Sequence, residues 1–363
     1  MQPVITEKEQ VSSFLTFYLI HSMQIGVGIL GFERYIAKDA GYDAWISIIL
    51  AGIGMHVALW LSYKILDKSN GDLIETHAQL FGKWIGGFLS FLFVLYCLVL
   101  AITVLRTFTE IVQVWIFPEL STWIYSGVFI LLALSFVAGG FRVVTGICFF
   151  SVLYGLPLLA VKYFPLKYGH FEHLLPIFDH SPGDIMKAAQ TMTLNFIGIE
   201  LLFLYYPFIK HAKSSQKWAH YGVLFTTAVY LITALVSYVY FSEGQLQRIT
   251  WATLTLWKIV DLPFIERFEY AGLGIWETVV LSNICLSLWA AYQGINRLFS
   301  LNSKMIMFAL GVITLLGCGL LVTRAQIDLL NTLVSKAGFY VLYGYIPFLF
   351  ITQLIVLKVR RNQ

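Results

Sequence analysis

Charge is what this sequence has least of. Asp, Glu, Lys and Arg make up 12% of the 363 residues, about half the share found in soluble domains. A soluble globular fold is excluded on that ground. The net charge of +4 forms no basic patch interleaved with aromatics, so nucleic acid has no support as a partner. Catalytic signatures are missing too. There is no GxSxG, no GxxxxGK[ST] loop, no glycine-rich dinucleotide fingerprint and no His/Cys/Asp/Glu set at metal-ligand spacing. An enzyme, a cofactor and a bound metal are therefore not expected. Only four cysteines occur: Cys97, Cys148, Cys285 and Cys318. Each sits inside an apolar run and reads as a small buried hydrophobe. The N-terminus, MQPVITEKEQ, lacks a small-residue cleavage pattern, so the first apolar run reads as retained in the mature protein.

Apolar runs fill the space that charge leaves. A membrane span needs roughly 20 apolar residues, and ten such runs can be drawn: 11–37, 43–66, 83–116, 122–139, 142–161, 185–208, 217–241, 271–299, 304–323 and 336–358. They are too long and too uniformly apolar for barrel strands, so an all-α membrane protein with one membrane domain over 1–363 is expected. Run 83–116 exceeds the bilayer and should tilt or protrude. Ten spans put both termini on one side. The basic HAKSSQK turn and KVRR tail assign that side to the cytoplasm. Two longer outer segments, 162–184 and 242–270, read either as a lid or as plain connections. The second contains LTLWKIVDLPFIERFE, amphipathic enough for a short helix on the membrane surface.

Two runs carry a matching weak point. QIGVGIL (Gln24–Leu30) lies in the first and NFIGIEL (Asn195–Leu201) in the sixth. Each sets a polar amide, Gln24 or Asn195, ahead of glycine, with Gly26 and Gly28 in one and Gly198 in the other. Runs one to five (11–161) and six to ten (185–358) form two five-helix halves. Five is odd, so the halves must be inverted relative to each other. Corresponding interruptions in two inverted halves point to a binding site at the bilayer midplane. Close packing of small residues is the plainer reading of the glycines.

Charge at membrane depth is the other signal. Glu200 follows Gly198 amid apolar neighbours and reads as a titrating group, an anchor for the interruption or a cap on freed amides. Arg106 and Glu110, four apart, read as a self-neutralising pair. Glu277 reads as lying nearer the outer surface. Tyr96 and Tyr292, with Leu100 and Leu288 one turn away, are cavity-lining candidates or packing residues.

Three stretches carry a resemblance: AGYDAWIS (Ala40–Ser47), FIGIELLFLYYPFIK (Phe196–Lys210) and PFIERFEYAGLGIW (Pro263–Trp276), the last with the Glu266-Arg267 pair. Over nearly its whole length the chain resembles the spore germination permease family, the B subunits of Ger-type nutrient germinant receptors. It departs from the pattern at GFERY, where a proline near Phe32 or Glu33 is expected. The resemblance implies a fold like the amino acid–polyamine–organocation transporters, LeuT-like, with helices 1 and 6 broken. It implies a nutrient-sensing subunit of the spore inner membrane, partnered by A and C subunits, with a small ligand, most often an amino acid. The implied site is Gly26, Gly28, Gly198, Ile199 and Glu200, completed by Tyr96, Leu100, Leu288 and Tyr292, beside the amides Gln24 and Asn195. The competing reading is an ion- or proton-coupled amino acid transporter. Against it, the core of run five, VVTGICFFSVLYGLPLLAV, has no Lys, His, Asp or Glu; hydroxyls such as that of Ser151 leave sodium coupling open.

Overall fold

The computed structural model describes residues 5–69 and 71–361. The first four residues, part of the N-terminal reading above, lie outside them. Among the described residues thirteen helices are labelled, joined by further short helical turns: α1 Thr16–Gln24, α2 Glu33–Ala40, α3 Ala44–Ser69, α4 Leu73–Trp115, α5 Thr122–Ala138, α6 Phe141–Gly155, α7 Pro182–Phe196, α8 Leu202–Tyr205, α9 Gln216–Tyr240, α10 Phe268–Phe299, α11 Ser303–Leu320, α12 Arg324–Tyr340 and α13 Ile346–Arg361. Among the described residues the only β-type pairings are two isolated bridges. One of them joins Val11 to the strand-like turn at Ile209: the Val11 N–H donates to the Phe208 carbonyl at 2.9 Å and Lys210 N–H donates to the Val11 carbonyl at 2.8 Å.

Local sequence explains where helices start. Asp72 accepts from the Glu75 N–H, Ser181 accepts from Asp184 ahead of Pro182, and Thr323 forms a capping box with Gln326. Each satisfies an amide that the first helical turn leaves unpaired. Gly140, at φ 82°, makes the turn between α5 and α6. Gly82, at φ 75°, kinks α4, so the expected run 83–116 is the part after the kink.

By length and apolar composition, seven helical stretches among the described residues are able to cross a bilayer, or eight if the bent pair Pro182–Phe196 and Ile199–Phe208 is one span. Two of the ten expected runs fall short for visible reasons. Run 122–139 is a helix of 17 residues, ended by glycines. Run 11–37 is divided into α1, a 3-10 turn Val27–Leu30 and α2, and α2 continues through Gly41–Asp43 into α3. The missing proline at GFERY has no visible cost, since Glu33–Ala40 is a regular helix.

Helix α10 is central and packs on α4 and α6; α3 packs on α7 and α9; α1 packs on α9 and α6. All four cysteines are free and buried, as expected of small hydrophobes. Helices α11 to α13 expose Phe308, Tyr340 and Phe348, the side chains of a surface made for hydrocarbon.

The outer connections differ from the expected surface helix. LTLWKIVDLPFIERFE starts inside a short helix, Ala252–Trp257, and that helix is buried, packed on α9, α10 and the Val27–Leu30 turn. Trp257, only 3% exposed, faces inward. Arg267 pairs with Glu269 at 3.0 Å. The 162–184 segment is tied down by Asp43, whose carboxylate accepts from the N–H groups of Phe178 at 2.8 Å and His180 at 3.0 Å. Arg106 and Glu110 do not form their expected pair. Arg106 Nε donates to the Leu321 carbonyl at 2.6 Å, and Glu110 accepts from Arg324 at 2.7 Å.

Candidate functional site

The two interrupted segments meet in the interior. Helix α1 stops at Gln24 and α7 at Phe196. At the second interruption the chain turns by 47°. Gly198 adopts φ 128°, a conformation open to glycine and costly for other residues. A Cβ there would also overlap the Met23 side chain. Gly28 similarly faces the Asn195 side chain, and Gly26 faces Asn283 Oδ1, which would lie 2.8 Å from an added Cβ. The glycines therefore let one interrupted segment press against the other and against α10.

An interrupted helix exposes carbonyls and amides that lipid cannot satisfy. Here neighbouring side chains take most of them. Asn283 Nδ2 donates to the carbonyl of Ser22 at 2.6 Å and lies 3.3 and 3.4 Å from those of Ile25 and Met23. The Tyr230 hydroxyl lies 2.8 Å from the Gln24 carbonyl and 3.1 Å from that of Asn195, touching the ends of both helices. Gln24 Nε2 donates to the Phe196 carbonyl at 3.1 Å, and Trp276 Nε1 donates to the Gly26 carbonyl at 3.3 Å. Gln24 Oε1 and Asn283 Oδ1 stay buried without a partner.

Glu200 is fully buried. One carboxylate oxygen accepts from the Gly198 N–H at 2.8 Å, and the other accepts from the Tyr96 hydroxyl at 2.6 Å. Of the three readings open from sequence, this geometry is that of a cap on a freed amide, anchored from α4.

Gln24, Gly26, Gly28, Asn195, Gly198 and Glu200 thus form one constellation, with Tyr96 reaching in from α4. Ile199 is buried within it. Leu100 and Leu288 are buried on α4 and α10, which pack against each other. Tyr292 is not brought in: its hydroxyl bonds Ser303 at 3.0 Å, near the start of α11. Glu277 is exposed and accepts from Tyr125 at 3.0 Å.

Sequence reading missed Asn283, Tyr230 and Trp276, although Asn283 is an amide flanked by apolar residues within a run and was open to the same argument as Gln24. It also placed Lys162 in an outer loop. The helical stretch runs on to Leu166, and Lys162 is 8% exposed. It faces a cavity of about 50 Å³ beside the first interruption. Ser22 and Ile25 lie on the same wall, as does Ser151, whose hydroxyl donates to the Cys148 carbonyl at 2.8 Å.

Comparison with known proteins places this arrangement. A family model described as spore germination protein matches residues 10–327. The spore germination protein GerQB of Bacillus cereus is 43% identical over 352 residues, covering 97% of this chain and 98% of the relative. YndE of Bacillus subtilis, also a spore germination protein, is 24% identical over 340 residues, covering 91% and 92%. Among solved structures, MhsT in complex with L-phenylalanine matches 96% of this chain and 99% of its own, with a TM-score of 0.66 at 16% identity. A substrate-bound Na+-coupled sialic acid symporter matches 95% of this chain and 79% of its own, with a TM-score of 0.65 at 14% identity. At these identities the likeness is one of fold.

Proposed function

Because the chain belongs to the spore germination protein family, we propose that it is the nutrient-sensing membrane subunit of a spore germinant receptor. In this reading it lies in the spore inner membrane with both termini cytoplasmic. It crosses ten times, as two inverted halves over 11–161 and 185–358. The first and sixth spans are broken at Gly26–Gly28 and Gly198, and a small germinant, an amino acid, binds where they meet. Binding favours one arrangement of the broken segments, and A and C subunits respond to it. A ligand shifts such an equilibrium only by its differential affinity for the two states.

The observation that carries this reading is the juxtaposition of the interruptions. Two non-helical segments, far apart in sequence, share one buried polar constellation built on Tyr230, Asn283 and Glu200. Such backbone is tolerated at membrane depth only where protein or a cavity receives it. MhsT, of the same fold, was solved with an amino acid bound.

The test is ligand stabilisation of the purified protein. Its unfolding temperature is expected to rise with saturating amino acid and to stay unchanged with sugars or nucleosides. A rise with a sugar or nucleoside alone overturns the amino-acid assignment.

One observation favours the second reading, a coupled amino acid transporter. Lys162 lies in the cavity beside the first interruption, so the absence of charge from the core of run five no longer counts against proton coupling. Accumulation of labelled amino acid against a gradient in proteoliposomes of the subunit alone decides for transport.

A further inference from the structure

The connection between α6 and α7 carries six large apolar side chains that the fold leaves uncovered. Tyr163, Tyr168, Phe171, Leu175, Ile177 and Phe178 are each between 47% and 73% exposed. Five of them lie beyond Leu166, where the apolar stretch able to cross a bilayer ends. An exposed patch of this kind marks a contact with a membrane or a protein. The segment itself is fastened at two points. The His170 N–H donates to the Val239 carbonyl, at the end of α9, at 2.7 Å, and the Asp43 carboxylate holds the N–H groups of Phe178 and His180. Phe178 has a left-handed φ of 66°, which disfavours any side chain with a Cβ. Glycine or asparagine would meet the Asp43 clasp with less strain. A phenylalanine held there and left open finds little cover within the chain.

Three observations select lipid as the cover. The patch follows directly on α6, where Phe150 and Tyr154 are exposed and stack on each other, an apolar surface suited to hydrocarbon. Its chemistry is that of the membrane–water interface. Lys167 Nζ lies 4.8 Å from the Tyr163 ring centre and 5.2 Å from that of Phe164. Aromatic rings beside a long basic side chain are the usual anchors at headgroup level. Finally, His170, Glu172 and Asp179 stand exposed among the apolar side chains. Charge at that density suits a segment lying along the headgroups. The core of a protein–protein interface is depleted of it.

We propose that residues 163–178 lie along the bilayer surface beside α6, with Tyr168, Phe171 and Phe178 seated among lipid headgroups and upper acyl chains. The partner is the lipid surface itself. Asp43 follows α2 through the Gly41–Asp43 turn, and α2 is the second half of the first interrupted run. The clasp that holds the segment therefore ties it to that half as well. Contact with lipid at Phe178 steadies the second half of the first run, whether the protein senses its ligand or carries it.

The experiment uses the purified full-length protein in vesicles of phosphatidylcholine and phosphatidylglycerol. Tyr168→Cys, Phe171→Cys and Phe178→Cys are each labelled with an environment-sensitive fluorophore. Glu119→Cys, in the exposed turn between α4 and α5, is the water-facing control. The four native cysteines are buried, and wild type treated in parallel gives the background. Nitroxide carried on lipid headgroups quenches a probe that touches lipid, and dissolved iodide quenches one open to water. At the three apolar sites, quenching by the nitroxide lipid is expected to be at least about twofold stronger than at the control, and quenching by iodide at least about twofold weaker. Quenching equal to that of the control by both agents overturns the lipid contact. Shielding from both agents overturns it as well, because protein then covers the patch. Should one of the three variants fail to fold, the other two decide.

Discussion

Glu200 joins two segments through a single carboxylate, one oxygen on the Gly198 amide and the other on the Tyr96 hydroxyl. Removing it strands a buried N–H, a loss of about 1–3 kcal/mol. Glu200→Ala should therefore lower the unfolding temperature more than Tyr96→Phe does. A double-mutant cycle between the two should give a coupling of roughly 0.5–3 kcal/mol; additive effects would mean that the bond contributes nothing to the fold. Gly198→Ala faces both an unfavourable φ and the Met23 side chain. It is expected to abolish the germination response in spores while the protein still reaches the membrane, checked by immunoblot of the inner-membrane fraction. At this scale much was legible. A carboxylate amid apolar residues and glycine behind an amide both announce a local exception. Orientation was not legible: Tyr96 and Tyr292 look alike in sequence, yet one turns to Glu200 and the other to Ser303.

At the scale of elements, the two interruptions are held shut by side chains from other helices. Asn283 on α10 covers the last carbonyls of α1, and Tyr230 on α9 spans the ends of α1 and α7. Asn283→Ala should expose those carbonyls and loosen the turn that follows. Hydrogen exchange is expected to quicken at Ile25–Leu30 and to stay unchanged in α11; uniform exchange across both would overturn the local account. The apolar runs were readable because lipid imposes length and hydrophobicity on every span. Their subdivision was less so, since a helix ends where tertiary partners accept its free groups, and those partners are remote in sequence. The helix Ala252–Trp257 shows the same limit. Its amphipathic pattern suits a membrane surface, but the helix is buried, and its residues Thr253 and Trp257 line an internal cavity.

For the molecule as a whole, fold and family were legible from long motifs, whereas partners and coupling leave little mark on one chain. If the protein senses its ligand as a subunit, it should co-purify with A and C subunits from spore membranes, and cysteines introduced at Lys8 and Arg360 should be labelled from the same, cytoplasmic side. Labelling from opposite sides would overturn the even number of crossings.

The pairing of Val11 with the Ile209 turn adds a second fastening between segments that Tyr230 already joins at their inner ends. Two levers pinned at both the fulcrum and the handle cannot swing separately. Motion of one is therefore expected to be shared by the other as a single stroke, which leaves the pair one mechanical degree of freedom.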